Sequence, residues 1–266
     1  MVLNTRHAGF TLVEVVVTIA LVGMLLAMTF TGLSGARRGA LQGRCQSNLR
    51  QMITAAQSYA LVNGGAFPAA LLYEVENGGI STRAWDFVQE ADGTITPGVL
   101  WSYTDQPLEV QQCPGFAGDA NFGADPYTGY NYNTSFIGAE GRYPVPGPDG
   151  QILDGWNNVR RGVLPSQWHA PANTVVFADA GYASGANKFM RAPGNTVENN
   201  IGMVYAGGQA FRHGDGCCCA WLDGHCSRRT DPHEGIHATQ TLLDEIMGYP
   251  RNGFLSQDDL LYDPRR

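Results

Sequence analysis

One stretch near the start of the chain, Phe10 to Leu33, restricts the fold most, because its 24 consecutive residues include a single charged side chain, Glu14. A helix needs about 20 apolar residues to cross the hydrocarbon core of a bilayer. A secretory signal peptide has a shorter apolar region, which usually holds no acid and ends at a small-residue cleavage site. The sequence therefore predicts a membrane segment of a different kind from a secretory signal.

After Arg37 and Arg38 the sequence is no longer apolar throughout, and its apolar residues follow the period of an amphipathic helix. Apolar residues then recur at steps of three and four, on one face of a helix: Leu41, Cys45, Leu49, Met52, Ile53, Ala56 and Ala60. Asn63-Gly64-Gly65 tolerates positive φ and predicts the end of the helix. A continuous helix from Phe10 to Asn63 would be roughly 80 Å long, from the rise per residue. Its first half would project into lipid or other subunits, and its second half would pack on a globular head.

In residues 66–266 the apolar residues no longer recur with the period of a helix, and their pattern indicates a β-rich head. Short apolar runs alternate there with Gly, Pro, Asn and Asp, and six of them predict strands: 98–103, 108–113, 130–137, 174–178, 202–205 and 217–222. No helix-sized segment separates these runs, so an antiparallel sheet is preferred to βαβ crossovers. The predicted fold class is α+β, with a long N-terminal helix packed on an antiparallel β-sheet head that has long loops.

The overall charge limits the partners of the chain. With 17 Lys+Arg against 24 Asp+Glu, the net charge is -7. Phosphate neutralisation requires a basic surface, which this composition does not supply. No nucleic-acid partner is expected.

The hexapeptide from Gly9 to Glu14, GFTLVE, follows a short leader that contains Arg6 and His7. It resembles the processing site of type IV prepilins and type II secretion pseudopilins, which implies a pilin-like fold. The resemblance implies that a prepilin peptidase cuts between Gly9 and Phe10, that the new Phe10 amine is methylated, and that Glu14 serves assembly. It also implies a single-pass protein of the bacterial inner membrane, with its N-terminus in the cytoplasm and its head in the periplasm. From there the subunit would enter a pseudopilus or pilus, or reach the cell surface.

On this resemblance the chain divides into a leader, a transmembrane and filament-core helix, an amphipathic continuation of that helix, and a head: residues 1–9, 10–35, 36–65 and 66–266. Its partners would be the prepilin peptidase, like or related pilin subunits in a filament, and the inner-membrane assembly platform. The sequence predicts a structural subunit and not an enzyme, since it contains no Gly-x-Ser-x-Gly elbow, phosphate loop or His-Glu-x-x-His helix.

A second motif lies nearer the C-terminus, where nine residues separate His213 from Asp223-Gly224. It resembles a His-x9-Asp-Gly motif of one large group of pseudopilin-like proteins. Five other pieces resemble that group in the same order: CQSNLRQM from Cys45, PGVLWSY from Pro97, QCPG around Cys113, GYNYN from Gly129 and PANTVVFADAG from Pro171. Asp223-Gly224 predicts a hairpin turn, beside which His213 and Asp223 would meet in a structural hydrogen bond. The functional alternative joins them with Asp215 and His225 in a metal or acid–base site.

Cysteines and acidic loops offer further candidate sites. An even number of cysteines permits up to three disulfides outside the cytoplasm: Cys45, Cys113, Cys217, Cys218, Cys219 and Cys226. Zinc is not favoured, because the three adjacent cysteines lack the two-residue gap of a chelating pair. Asp119, Asn121 and Asp125 present oxygen ligands in a Gly-containing loop that can wrap calcium, although an ordinary Asx-rich turn is preferred. The sequence predicts no cofactor, with calcium as the alternative.

Two alternative functions keep the same membrane anchor. The head could be a surface binding module, an adhesin or glycan receptor, that uses its many tyrosines and four of its tryptophans: Trp85, Trp101, Trp156 and Trp168. An aromatic content of 10% is ordinary enough for these rings to form the core instead. The other alternative is a tethered metal-dependent hydrolase built on His213 and Asp223.

Overall fold

A single long helix, α1 (Leu12–Val62, 51 residues), begins the fold in the computed structural model. The residues that the structure describes are 9–76, 79–105, 108–118, 128–139, 141, 145–146, 152–154, 162–182, 185–195, 207–236, 240, 244, 247 and 251–266. The chain divides into two units, residues 1–40 and 41–266. The predicted helix from Phe10 to Asn63 is confirmed to within two residues at each end.

The first unit contains the apolar part of α1. Its large apolar side chains are exposed from Phe10 to Leu33 wherever the structure describes them. Within the described residues, α1 is the one helix long and apolar enough to cross a membrane, with a mean hydropathy of 2.4 over its most apolar window and none of that window buried. Exposure of this kind is what a helix surrounded by lipid or other helices requires.

The C-terminal end of α1 lies in the second unit and stops where the sequence predicts. Gly64 and Gly65 have φ values of 64° and 85°. The Gly65 N–H donates to the Ala60 carbonyl over 2.8 Å, which satisfies one of the last helical acceptors. Upstream, Leu41 is half-buried, and the other six residues of the predicted apolar face are buried in the main core: Cys45, Leu49, Met52, Ile53, Ala56 and Ala60.

Residues 41–62 of α1 share this core with one face of a five-stranded sheet. Its strands are β5 (Tyr130–Asn133), β8 (Val175–Asp179), β9 (Phe189–Met190), β11 (Cys217–Trp221) and β12 (Cys226–Arg229). They lie in the order β12-β11-β8-β5-β9, and every pair is antiparallel except β5 with β9. The sheet therefore supports an α+β fold with a long N-terminal helix followed by a region rich in antiparallel sheet.

Strand β11 lies inside this sheet and is buried on both faces, as predicted. Cys218, Ala220 and Leu222 belong to the core that contains α1. Cys217, Cys219 and Trp221 belong to a second core on the other face, which the C-terminal residues complete: Phe254, Leu255, Leu261 and Tyr262. The extreme C-terminus is thus an integral part of the head.

A second sheet of four strands was not predicted from the sequence. It is an antiparallel meander of β1 (Leu71–Glu76), β2 (Gly79–Ala84), β3 (Phe87–Gln89) and β4 (Ile95–Pro97). Two further antiparallel pairs join β6 (Val145–Pro146) with β7 (Ile152–Asp154) and β10 (Gln209–Ala210) with β13 (Asn252–Gly253). The meander strands carry many half-exposed polar residues, so no continuous apolar run marks them in the sequence.

Two strand predictions are wrong. Residues 98–103 and 108–113 form short 3-10 helices at Val99–Tyr103 and Leu108–Gln111. In the first, the Trp101 indole N–H donates to the Asp86 carbonyl over 2.9 Å, and this long-range contact favours a tight turn over an extended strand. Periodicity cannot separate a short buried strand from a short buried turn.

Of the other four strand predictions, two are confirmed, one is too long and one cannot be compared with the described residues. Residues 174–178 and 217–222 are confirmed by β8 and β11. The prediction for 130–137 is too long, since β5 ends at Asn133, whose side-chain oxygen accepts the Phe136 N–H over 3.1 Å and turns the chain. Residues 202–205 lie outside the described residues.

Candidate functional site

Four buried side chains from distant parts of the sequence converge in the head, and we call them the buried cluster: Cys45, Cys113, Asp179 and His213. Cys45 lies on α1, and Cys113 follows the 3-10 helix Leu108–Gln111. Asp179 ends β8, and His213 precedes β11. At most 4% of any of these residues is exposed.

One carboxylate oxygen is the centre of the buried cluster. Oδ1 of Asp179 lies 3.2 Å from the Cys45 Sγ, 3.4 Å from the Cys113 Sγ and 3.5 Å from the His213 Nε2. The Cys113 Sγ is also 3.5 Å from the His213 Nε2. The second oxygen, Oδ2, accepts the Cys218 N–H over 2.7 Å. This bond from the neighbouring strand orients the carboxylate so that Oδ1 faces the two sulfurs.

Local backbone geometry positions His213. Its N–H and carbonyl exchange hydrogen bonds with Gly216, at 2.9 and 3.1 Å, across a two-residue turn. Both central residues, Gly214 and Asp215, have positive φ, as a type I′ turn requires. The imidazole packs against Gly115, where an added Cβ would lie 2.7 Å from the His213 Cε1. The ring therefore has little freedom to move.

The electrostatics of the buried cluster favour the charged forms of Asp179, Cys113 and His213 and the neutral thiol of Cys45. Burial raises the pKa of Asp179, but the hydrogen bond with His213 and the charge of Arg212 lower it more. Burial likewise raises the pKa of Cys113, whereas the hydrogen bond with Cys45 and the contacts with His213 and Arg212 bring it down to about 6. Burial and the hydrogen bond with Cys113 raise the pKa of Cys45. For His213, burial lowers the pKa, but its bonds with Asp179 and Cys113 raise it to about 10.

The two ends of the His-x9-Asp-Gly motif do not meet, which corrects the predicted hydrogen bond between His213 and Asp223. Strand β11 separates them, and five residues of strand span about 17 Å. Asp223 instead accepts from its neighbour His225, with 2.6 Å between Oδ1 and Nδ1. The predicted hairpin is present, with Gly224 at φ 95°, and His213 uses its side chain in the buried cluster.

The N-terminal motif forms a capping box at the start of α1. The Thr11 N–H and hydroxyl both donate to Oε2 of Glu14 over 2.8 Å, and the Glu14 N–H donates to the Thr11 hydroxyl over 3.3 Å. Gly9 and Phe10 precede the helix and are exposed, so the bond between them is accessible. Among the described residues, Oε1 of Glu14 makes no hydrogen bond.

This N-terminal geometry agrees with the comparison of the chain with known families. Residues 4–30 match the family model described as the prokaryotic N-terminal methylation motif. No curated protein and no solved structure matches the chain. The motif and the apolar helix support a pilin-like subunit that is processed by a prepilin peptidase, and they are consistent with anchoring in the inner membrane.

The other residues singled out from the sequence are the six cysteines, the calcium candidates and the tryptophans. All six cysteines are free thiols in the structure, so none of the permitted disulfides is formed. Asp119, Asn121 and Asp125, the calcium candidates, lie outside the described residues. Trp85 and Trp101 are buried in the main core, the partly buried Trp168 packs edge-on against Phe67, and Trp156 lies outside the described residues. These rings support the core, which agrees with their interpretation as structural residues.

The sequence interpretation missed the buried cluster as a site. It singled out His213 but gave it the wrong partner, and it treated Cys45 and Cys113 only as thiols for disulfides. Asp179 was not singled out, although it lies in the piece PANTVVFADAG. The four residues are separated by 68, 66 and 34 positions in the sequence, so no short metal-binding spacing marks them. The signal in the sequence was that each of the four residues lies in a piece that resembles the pseudopilin-like group: CQSNLRQM, QCPG, PANTVVFADAG and the His-x9-Asp-Gly motif.

Proposed function

We propose that this chain is a structural subunit, not an enzyme, of a type II secretion pseudopilus or a type IV pilus-like fibre. The peptidase would cut between Gly9 and Phe10, the Phe10 amine would be methylated, and the inner-membrane assembly platform would add the subunit to the fibre. Before assembly the N-terminus would face the cytoplasm and the head would lie in the periplasm. The resemblance of the His213 to Gly224 motif to pseudopilin-like proteins supports this assignment.

The observation that carries the proposal is the position of Glu14 on an exposed apolar helix. Its neighbours along the chain, Val13 and Val15, are exposed, as is Phe10. When such helices bundle in a fibre core, the carboxylate of Glu14 leaves water and needs a cationic partner. Cleavage after Gly9 creates such a cation at the Phe10 amine. A pair between neighbouring subunits would set their axial register, because any other stagger leaves both charges unpaired.

The capping box leaves room for a second role of Glu14 in the proposed ion pair. Thr11 uses only Oε2, so Oε1 is available to an amine of a neighbouring subunit. Glutamine can cap a helix in the same way through its side-chain oxygen, but it carries no charge. The cap and the ion pair can therefore be separated by substitution.

The test compares Glu14→Gln with Glu14→Val and Thr11→Val in full-length protein expressed in a host with a pilus assembly system. Membrane insertion, the mass of the mature N-terminus and the amount of sheared fibre are measured for each variant. We expect Glu14→Gln and Glu14→Val to be inserted and cleaved but to lose most of the fibre. Thr11→Val keeps the charge and should still assemble. Normal fibre yield from Glu14→Gln would refute the ion-pair mechanism, and an uncleaved wild-type chain would refute the assignment as a processed pilin.

A further inference from the structure

The four side chains of the buried cluster offer the donor atoms of a transition-metal site: two sulfurs, one carboxylate oxygen and one imidazole nitrogen. We propose that they bind one zinc ion in a closed tetrahedral site. This proposal concerns the head alone and does not depend on fibre assembly. It replaces the expectation from the sequence that the chain has no resident cofactor.

Four of the six distances among the donor atoms match the edges of a tetrahedron around zinc, and the other two are at most 4.8 Å. With bonds of about 2.3 Å to sulfur and about 2.0 Å to nitrogen or oxygen, its edges are about 3.5 Å from sulfur to oxygen or nitrogen and about 3.3 Å from nitrogen to oxygen. The observed sulfur edges are 3.2 Å for Cys45 to Asp179, 3.4 Å for Cys113 to Asp179, and 3.5 Å for Cys113 to His213. The edge from His213 to Asp179 is 3.5 Å, and all four donor atoms lie within 4.8 Å of one another.

The chemistry of the donors selects the metal. Calcium and magnesium take oxygen ligands, so a pair of thiols beside an imidazole does not suit them. Zinc takes this mixed set, and a site with four protein ligands is the arrangement of structural zinc. At most 4% of any of these residues is exposed, so the part of the head that the structure describes leaves no open route to the centre for a substrate. The inferred site is therefore structural and not catalytic.

The surroundings of the buried cluster also fit a bound cation. With zinc present, two thiolates and one carboxylate carry three negative charges, which the ion and the guanidinium of Arg212 together balance. Arg212 is held in place by the carbonyl of Ala180 and by the ring of Phe116, which lies 4.7 Å from the guanidinium. The Cys218 N–H supplies the outer hydrogen bond that fixes a metal-bound carboxylate.

A zinc ion here would join four segments of the head: α1 at Cys45, the loop at Cys113, the end of β8 at Asp179 and the turn at His213. Two of these ligands, Asp179 and Cys45, are 134 residues apart in the sequence. The ion would thus lock the second half of α1 to the main sheet, and metal binding would contribute directly to folding of the head.

The test uses full-length protein purified in detergent without added chelator. Elemental analysis should find about one zinc per chain. Replacement by cobalt should produce the thiolate charge-transfer bands and intense visible bands of a tetrahedral sulfur-ligated ion. A chelator should lower the midpoint of thermal unfolding by at least about 10 °C, given the usual size of structural zinc binding energies. In the zinc-loaded protein, Cys45 and Cys113 should resist alkylation until the metal is removed.

Cys113→Ala and His213→Ala should lose stoichiometric zinc, whereas Cys219→Ala should keep it. Cys219 is a matched control, because it is equally buried but belongs to the core on the other face of β11. If Cys113→Ala and His213→Ala fail to fold, the zinc content, cobalt spectrum and chelator response of the wild-type protein test the proposal on their own. A wild-type chain without stoichiometric metal refutes the proposal, whether mass spectrometry then finds a Cys45–Cys113 disulfide or two reduced thiols. Zinc retained equally by wild type and both cluster variants refutes it too.

Discussion

Nε2 of His213 lies 3.5 Å from Oδ1 of Asp179, and this pair is buried in the head. The carboxylate expected to pair with His213 from the motif, that of Asp223, is at the exposed hairpin turn instead. The two aspartates therefore have very different energetic importance. Asp179 belongs to a buried network of charged groups, whereas Asp223 accepts a hydrogen bond from His225 at the solvent-exposed surface.

The same substitution at both aspartates should reveal this difference. Asp179→Asn removes the buried charge that faces His213, and removing one member of a buried charge pair costs about 3–5 kcal/mol of unfolding free energy, whether the cation is the imidazolium or, in the proposed site, the zinc ion. Asp223→Asn breaks an exposed pair and should cost about 1 kcal/mol or less. Thermal unfolding of the full chain, followed by tryptophan fluorescence, measures both effects. Equal loss of stability in the two variants would contradict the buried role of Asp179.

Gly115 should not tolerate a side chain, because an added Cβ would lie 2.7 Å from the His213 Cε1. We expect Gly115→Ala to displace the imidazole and lower the free energy of unfolding by about 1–3 kcal/mol, the usual cost of overpacking a core. Gly43→Ala is the control, since no heavy atom beyond the adjacent residues and the nearby backbone of α1 lies within 4 Å of its added Cβ. That helical substitution should stabilise by up to about 1 kcal/mol. Thermal midpoints that shift in the same direction would be inconsistent with these contacts.

Lys188 and Asp86 form a second buried ion pair, with 2.7 Å between Nζ and Oδ2. The ammonium also lies 3.9 Å from the centre of the Phe87 ring. Lys188→Met leaves the Asp86 charge buried without this partner and should cost about 3–5 kcal/mol. The double variant Asp86→Asn/Lys188→Met removes both charges and should be clearly more stable than the single variant in chemical denaturation. If the double variant were the less stable of the two, the unpaired Asp86 charge would not be the main cause of the instability.

The Tyr262 hydroxyl accepts the Leu255 N–H over 2.8 Å and donates to Oε1 of Gln209 over 2.5 Å. Tyr262→Phe leaves both groups buried without this partner, at a cost of about 1–3 kcal/mol. Tyr103→Phe should change stability by about 0.5 kcal/mol or less, because the half-buried ring keeps its edge-on contact with Tyr59. Denaturation curves of the two variants test whether the C-terminus stabilises the head. Identical curves would argue that it does not.

Local features of the sequence were sufficient for the helix and its ends. The run from Phe10 to Leu33 requires an apolar environment by length and composition. The capping pattern of Thr11 and Glu14 and the two glycines after Asn63 act through neighbouring backbone groups. Strand β11 could also be predicted, because alternate apolar residues on both faces indicate an interior position whatever the partners are.

The meander and the buried cluster required the tertiary structure. Strands β1 to β4 are half-polar, and pairing with one another stabilises them where no apolar run does. Cys45, Cys113, Asp179 and His213 become neighbours only when α1, β8 and the loops pack together, and no residue near each of them in the chain reveals the other three. The sequence alone thus determined the anchor and its processing motif, since these act over a few residues. The centre of the head was decided by contacts between distant residues, such as Cys45 and Asp179, which are 134 positions apart.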